Sequence, residues 1–299
     1  MTFDSMALGR RFFVVGYLPT YTAAVFLLLL IWAGAPGALH FSAAWRAAGK
    51  LTAGDLLLLL AAVVSVGLIL QPLQLVLLRL LEGYWPARLS GPPRRRQLRR
   101  RARLAAAAAL PERPEDLAAE EVNRIGLAGT RLRLRYPAAD QVRATALGNA
   151  LAAAEGRAGA RFGWDAVVAW PRLYPLLGDR TRTIVDDRRD TVDAAARLAV
   201  VAALTTVVTV ALLGASGGWI ALTLVPLAVS WLSYRGAVQA AIAYGESVEV
   251  AFDLHRFDLL AALHLPLPAD TEAEARLAAE LSALWRQGKP VPLTYTHPA

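Results

Sequence analysis

This chain of 299 residues is 56% hydrophobic with a mean hydropathy of +0.40, which is more apolar than a typical soluble globular protein. The net charge is +8, but without the seven arginines between Arg94 and Arg103 it would be +1, so the basic character belongs to one segment. The chain has no cysteine, which excludes disulfides, thiol catalysis and zinc–thiolate sites. The composition therefore favours a membrane protein over a basic fold that docks on nucleic acid.

Four apolar segments are long enough to cross a hydrocarbon core of about 30 Å as helices of roughly 20 residues. The first is too long for a signal peptide and lacks a convincing small-residue cleavage site. The first pair forms a predicted hairpin within residues 1–80, and the turn GASGG joins the second pair within 194–238. In chain order the predicted spans cover about 12–32, 56–78, 194–213 and 219–238.

Basic residues at the ends of these spans predict their orientation. Arg10 and Arg11 precede the first span, the arginine-rich segment follows the second, and Arg188 and Arg189 precede the third. The loops within the two hairpins carry few charges. The positive-inside rule therefore places both termini, and the long segment between spans two and three, in the cytoplasm.

The polybasic segment 94–103 begins shortly after the second span, behind a linker predicted at Gly91, Pro92 and Pro93. We interpret it as a topology determinant that also binds anionic lipid headgroups, since each basic residue near such a surface contributes about 1 kcal/mol. Nucleic-acid binding is disfavoured because no aromatic residue is interleaved to stack on bases. The predicted lipid-binding residues are Arg94, Arg95, Arg96, Arg99, Arg100, Arg101 and Arg103.

Residues 81–193 and 239–288 are predicted to form a helical cytoplasmic domain, followed by a flexible tail at 289–299. A helix is expected to begin near Pro114 and to end at Gly126, and the alternating sequence TRLRLRY at 130–136 suggests a short strand. Another helix covers TALGNALAAAEG, and the pattern from Asp179 is helical and continues into span three.

The C-terminal part predicts two further helices. One continues from span four to Pro266, with Val250 and Phe257 on one face and Val248, Phe252 and Leu259 opposite; a helix apolar on more than one side is usually buried by other helices. The other has Thr271 and Glu274 at capping-box spacing.

Glu246, Glu249 and Asp253 share one helix face, and such oxygens could bind Mg²⁺ or Ca²⁺. Arg256 on the same stripe would compete for them, so a salt-bridged stripe facing the arginine segment or Arg172 is favoured. No G-x-S-x-G, H-E-x-x-H or P-loop motif occurs. We therefore expect no enzyme activity, no cofactor and no metal.

The stretch AWPRLYPLL frames Trp170, Arg172 and Tyr174 with two prolines. The favoured interpretation is a rigid corner in the core of the cytoplasmic domain, and the alternative is a hook for lipid or a partner. Asn149 and Glu155 are expected to cap or pair within that core.

LGNALAAAEGRAGARFGWDAVVAWPRLYPLL and YGESVEVAFDLHRFDLLAALHLPLP resemble a family of uncharacterised bacterial multi-pass membrane proteins with LGN-x-L/AAE, WPRL and DL-x-RFD motifs. Phe162 and His255 stand where that pattern usually has tyrosine. The resemblance covers the cytoplasmic parts and implies a shared architecture in the bacterial inner (plasma) membrane, with no known activity. The motif positions carried here are Asn149, Glu155, Asp165, Trp170, Arg172, Asp253, Arg256 and Asp258.

The sequence thus predicts an all-α membrane protein with four transmembrane helices and a helical cytoplasmic domain built from two chain segments. The expected function is that of a non-enzymatic scaffold or regulatory partner acting through this domain, as a homo-oligomer or with a protein partner. An alternative is an oligomeric ion channel with the coarse layout of bestrophins, in which Thr205, Thr206 and Thr209 would line the pore. A lipid-modifying enzyme using Glu246, Glu249 and Asp253 is a third alternative.

Overall fold

The computed structural model describes residues 18–111 and 117–296, and all regular secondary structure in these ranges is helical. Short 3₁₀ turns at Ala139–Gln141, Ala160–Phe162, Tyr174–Leu176 and Gly217–Thr223 connect some of the helices. The α-helices are α1 (Leu18–Trp32), α2 (Phe41–Ala48), α3 (Ala53–Leu81), α4 (Ala87–Ala107), α5 (Ala119–Arg135), α6 (Ala146–Arg157), α7 (Ala166–Leu173), α8 (Asp179–Leu213), α9 (Leu224–Ala262) and α10 (Thr271–Gln287).

The chain divides into two compact units. The first unit comprises Met1–Leu81 and Asp190–Ala237, and the second comprises Glu82–Arg189 and Val238–Ala299. One boundary falls at the end of α3, and the other two fall inside α8 and α9, so each of the latter helices contributes residues to both units.

The first unit contains the apolar helices. Two described helical stretches, Asp179–Leu213 and Gly217–Ala262, are long and apolar enough to cross a membrane. A third span results if Phe41–Ala48 and Ala53–Ser65, which meet at 110°, are counted together. The four predicted spans are therefore not all confirmed: part of the first lies outside the described residues, its remainder is the shorter α1, and the second falls within α3.

Many apolar side chains of the first unit point outward. Leu57, Leu58, Val207 and Leu232 are all more than half exposed. A soluble helix would turn such residues inward, whereas a helix in contact with lipid is apolar on all sides. Inside the unit, the Ser230 hydroxyl donates to the carbonyl of Ala199 over 2.9 Å and so links α9 to α8.

The second unit has a well-packed apolar core. Its largest fully buried side chain is Phe252 of α9, which packs with residues of α7, the start of α8 and α10. Residues 289–296 also contact this unit, since Leu293 packs against the core and the Thr296 amide donates to the His264 carbonyl over 2.8 Å. Other core residues are Trp164, Leu173, Val185, Val248, Leu259, Leu260 and Leu281.

Two local predictions are wrong in α5. The segment 130–136 is helical to Arg135 rather than a strand, and Gly126 lies inside the helix rather than at its end. Val122, Ile125 and Leu132 also fit a helical stripe, and arginine and leucine are strong helix formers. Packing along α4 supports the helix. Residues 18–111 and 117–296 contain no strand with which this segment could pair. Pro114 lies outside the described residues.

Two further predictions about helix starts are corrected. The predicted linker at residues 91–93 is part of α4, which begins at Ala87 and passes through Pro92 and Pro93. Contacts of α4 with α5 and with residues 137–142 outweigh the two missing backbone donors. In α10 the N-cap is Asp270, not Thr271, and its carboxylate accepts from the Ala273 amide over 2.7 Å.

Candidate functional site

Two acidic residues of the α9 stripe, Glu249 and Asp253, pair with arginines at the end of α6 and in the 3₁₀ turn that follows it. Arg157 Nε donates to Glu249 Oε1 over 2.6 Å, and Arg161 forms an ion pair with Asp253. Arg157 is largely buried, so its pair with Glu249 is poorly screened by water. Glu249 and Asp253 are salt-bridged as expected, but their partners are Arg157, Arg161 and, at 3.8 Å from Glu249, Arg133, and neither the polybasic segment nor Arg172.

Arg256 of the same helix turns toward α10. Its Nε donates to Glu274 Oε1 over 2.7 Å, and Glu274 is buried. The guanidinium also lies 3.9 Å from the ring centroid of Phe162 and 4.3 Å from that of Phe257. An arginine held by a buried carboxylate and two aromatic faces has a fixed position and acts as a connector between α9 and α10.

Asn149 is completely buried and fixes the chain before α6. Its Oδ1 accepts from the Arg143 amide over 2.7 Å, and its Nδ2 donates to the Arg143 carbonyl over 3.1 Å. The Arg143 side chain in turn donates to Glu155 over 3.0 Å. Asn149 and Glu155 therefore meet on Arg143: the buried Asn149 bonds its backbone and the exposed Glu155 pairs with its side chain. Neither residue caps α6, because the N-cap is Thr145.

Asp165 performs two structural roles at the start of α7. Its Oδ1 accepts from the Val167 amide over 3.1 Å as an N-cap, and its Oδ2 accepts from Arg286 Nε of α10 over 2.6 Å. Next to it, the Trp164 and Trp285 rings stack with centroids 5.9 Å apart. This arrangement joins α7 to the C-terminal helix.

The WPRL corner packs into the same core. Trp170 lies against Phe252, with ring centroids 6.0 Å apart, and the exposed Arg172 covers the Trp285 ring at 4.5 Å. The Tyr174 hydroxyl donates to Asp186 Oδ1 over 2.7 Å. That hydrogen bond, together with burial and the Asp186 charge, raises the pKa of Tyr174. The geometry matches the rigid-corner interpretation.

Two acidic motif residues lie outside the arginine pairs. Glu246 is exposed at the surface of α9. Asp258 lies 2.7 Å from His255 Nδ1, and His255 Nε2 lies 3.2 Å from the Thr181 hydroxyl. Among residues 18–111 and 117–296, no three histidine, aspartate or glutamate side chains come together in a way that could hold a metal ion.

No protein-family model, curated protein or solved structure matches this chain. The resemblance noted for the LGN, WPRL and DL-x-RFD motifs therefore remains an expectation.

The polybasic segment forms two opposite faces of α4. Arg94 donates to the carbonyls of Val142 and Asp140 over 2.8 and 2.9 Å, and Arg101 donates to that of Pro137 over 2.9 Å. The buried Gln97 between them accepts from the Tyr136 hydroxyl over 3.1 Å. Burial raises the pKa of Tyr136, against the opposing charges of Arg100 and Arg135. This inner face attaches α4 to residues 136–142.

The other five arginines form the outer face of α4, and all of them are exposed. Together with Pro92 they line an open groove of about 550 Å³. Within the described part of the chain, no hydrogen bond or ion pair occupies these guanidinium groups. We call this set, Arg95, Arg96, Arg99, Arg100 and Arg103, the arginine face.

The three threonines considered for a pore donate to their own helix. The hydroxyls of Thr205, Thr206 and Thr209 bond the carbonyls of Val201, Ala202 and Thr205 over 2.7–2.8 Å. Thr209 is completely buried within one chain, so it is not available to a pore between copies. The hydroxyl contacts are those by which threonine is commonly accommodated in an apolar helix.

One apolar stripe of α9 in the second unit stays exposed, contrary to the expected burial of that helix on both sides. Val250 is 51% exposed and Leu254 is 63% exposed, with Phe257 partly exposed beside them. Their spacing of i, i+4 and i+7 continues to the exposed Ala261. The opposite side, with Val248, Phe252 and Leu259, fills the core. We call Val250, Leu254, Phe257 and Ala261 the apolar stripe.

Several residues that organise this unit were missed in the sequence, notably the partners Arg157, Arg161, Asp186 and Glu274. One signal was present for the first two. Arg157 and Arg161 are four residues apart, as are Glu249 and Asp253, so two charge pairs with matching spacing can face each other. Glu274 gave no such signal. An acidic residue in the first turn of a helix is already explained by the helix dipole, so its sequence position does not indicate an ion pair with Arg256.

Proposed function

We propose that the protein is an integral membrane protein with four spans and with both termini in the cytoplasm. The support is the apolar composition of α3, α8 and α9, the outward-facing leucines and valines, and the arginines at the span ends. The second unit, which carries most of the charged residues, then lies on the cytoplasmic side.

The absence of cysteine makes this topology directly testable by single-cysteine labelling. Lys50→Cys and Gly218→Cys lie in the proposed outer loops, and Gln141→Cys and Ala269→Cys lie in the second unit, all at exposed positions. A membrane-impermeant maleimide should label the first pair in intact spheroplasts and the second pair only after permeabilisation. Labelling of Gln141→Cys in intact spheroplasts contradicts the proposal.

We further propose that the protein acts as a non-enzymatic scaffold through its second unit. The observation that carries this is the use of the charged motif residues: Glu249, Asp253, Arg256 and Asp165 are all engaged in contacts between helices of the same chain. Residues engaged in this way position surfaces rather than react. The function then resides in what the rigid unit presents.

The surface presented is the apolar stripe, and the proposed partner is a second copy of the chain. Its alternating spacing of four and three residues is that of a helix packing seam, in which the same stripe on two copies can interlock. Isolated exposed apolar residues are ordinary, but an aligned row on one helix is typical of an interaction surface.

The mass of the full-length protein in neutral detergent tests this proposal. The wild type should be a dimer or larger, and Val250→Ser with Leu254→Ser should shift it toward the monomer. A matched control is Val122→Ser with Leu127→Ser, two similarly exposed apolar residues of α5. A monomeric wild type, or equal effects of the two double variants, would overturn self-association through the stripe.

A further inference from the structure

The arginine face of α4 is a concentrated, accessible positive surface. Arg95 and Arg103 are eight residues apart, so the face extends for about 12 Å along the helix at 1.5 Å per residue. Five like charges on one face repel each other and are stabilised by anions. The exposed groove between the side chains leaves their guanidinium donors open to such a ligand.

The opposite face of α4 explains why the positive surface is held in place. Arg94, Gln97 and Arg101 are one helical turn apart and bind residues 136–142. These contacts fix the rotation of the helix, so the other five arginines point away from residues 136–142. The seven arginines of the segment therefore have two different roles, with two anchoring the helix and five facing outward.

Apolar residues continue the arginine face toward its N-terminal end. Leu89 is 62% exposed and lies three and seven residues before Pro92 and Arg96, on the same side of the helix. Tyr84 and Trp85, just before α4, are also exposed. Exposed leucine and aromatic side chains next to a row of arginines are typical of helices that lie in a membrane interface.

We propose that the arginine face binds the phosphate groups of anionic phospholipids, with Arg94 and Arg101 taking no part. α4 begins at Ala87, shortly after the apolar helix α3 ends at Leu81. The arginine face therefore follows a proposed membrane span in the sequence, which favours lipid over nucleic acid as its ligand. The face also carries no aromatic ring among its arginines on which a base could stack. Arginine forks suit phosphate oxygens by bidentate hydrogen bonding.

The test measures lipid retention by the full-length protein in neutral detergent with native mass spectrometry. Phosphatidylglycerol and phosphatidylcholine are the probes, and each Arg→Gln substitution of the face should lower phosphatidylglycerol affinity about fivefold. The five-residue variant R95Q/R96Q/R99Q/R100Q/R103Q should lose at least about 100-fold, since charge effects within one cluster add incompletely. Phosphatidylcholine should bind weakly to both proteins.

Control variants distinguish loss of the binding site from loss of net charge and from misfolding. The variant R124Q/R131Q/R135Q/R180Q/R276Q removes five exposed arginines elsewhere in the second unit, so it has the same net charge as the five-residue face variant. It should keep phosphatidylglycerol affinity within a few-fold. A version of the face with five lysines keeps the charge without the bidentate fork, so its affinity should lie between those of the wild type and the glutamine variant. If the glutamine face variant does not fold, the pairs R95Q/R96Q and R99Q/R100Q replace it.

Two competitors identify the source of the phosphate. Inorganic phosphate at millimolar concentration should leave lipid retention unchanged, and a short single-stranded oligonucleotide should bind more weakly than phosphatidylglycerol at the same salt concentration. Three results would each overturn the proposal. They are an equal loss of phosphatidylglycerol affinity in the charge-matched control, displacement of the lipid by inorganic phosphate, and tighter binding of the oligonucleotide than of phosphatidylglycerol.

Discussion

Arg256 on α9 and Glu274 on α10 form an ion pair in which Arg256 Nε lies 2.7 Å from Glu274 Oε1. Glu274 is only 4% exposed, so water cannot replace the carboxylate if it is removed. Glu274→Ala should therefore lower the free energy of unfolding by about 3–5 kcal/mol, the usual cost of leaving one buried charge alone. Denaturant unfolding of the full chain in detergent measures this loss.

An exposed pair on the same helix provides the control for that prediction. Arg276 and Glu272 are 2.7 Å apart with side chains 62% and 82% exposed. Glu272→Ala should cost only about 0–1 kcal/mol, since water screens such pairs. Equal losses in the two variants would show that burial of Glu274 does not determine the effect.

Asn149 supplies a second prediction, which rests on hydrogen bonds rather than charge. Asn149→Ala removes both bonds to the Arg143 backbone and leaves its partly buried amide and carbonyl without these partners. The expected loss is about 1–3 kcal/mol for each group left without a partner. Asn123→Ala, at an exposed position of α5, should stay within about 0.5 kcal/mol of wild type.

The sequence predicts the helices of this protein better than it predicts their contacts. Helical character, the continuation of α8 from charged into apolar sequence and of α9 from apolar into charged sequence, and the amphipathic α10 follow from periodicity over many residues. The strand predicted at 130–136 was wrong because alternation over seven residues is also compatible with a helix, and only packing against α4 decides between them.

The contacts of the motif residues could not be predicted in the same way. Arg157 and Glu249 are separated by 92 positions, and the four-residue spacing that each shares with its neighbour shows only that the two charge pairs can match, not that they meet. Likewise, the division of the arginine segment into two faces depends on residues 136–142, which lie beyond α5 in sequence. Charge patterns gave the residue types of the candidate site, whereas tertiary packing determined their partners.

Gly245 tests the close approach of α9 and α6 within the second unit. A Cβ atom on Gly245 would lie 2.4 Å from the Cβ of Ala154, far inside van der Waals contact. Gly245→Ala should therefore destabilise the protein by about 1–3 kcal/mol through overpacking. Gly126→Ala in α5 is the matched control, because a Cβ atom on Gly126 would have no neighbour within 4 Å. That substitution should stabilise the helix by about 0.5–1 kcal/mol, and a loss there would contradict the helical assignment.

Because of Tyr174, the stability of the second unit should decrease at alkaline pH. The hydrogen bond to Asp186 raises the pKa of Tyr174 in the folded protein above the ordinary value of about 10. The stabilisation is then fully present below about pH 10 and is lost as the pH rises through the raised folded-state pKa. Melting temperatures should fall more steeply with pH in wild type than in Tyr174→Phe, which has no phenol to titrate at this position. The phenolate absorbance should show one fewer late-titrating tyrosine in that variant. Parallel pH profiles of the two proteins would contradict the role of the Tyr174–Asp186 hydrogen bond.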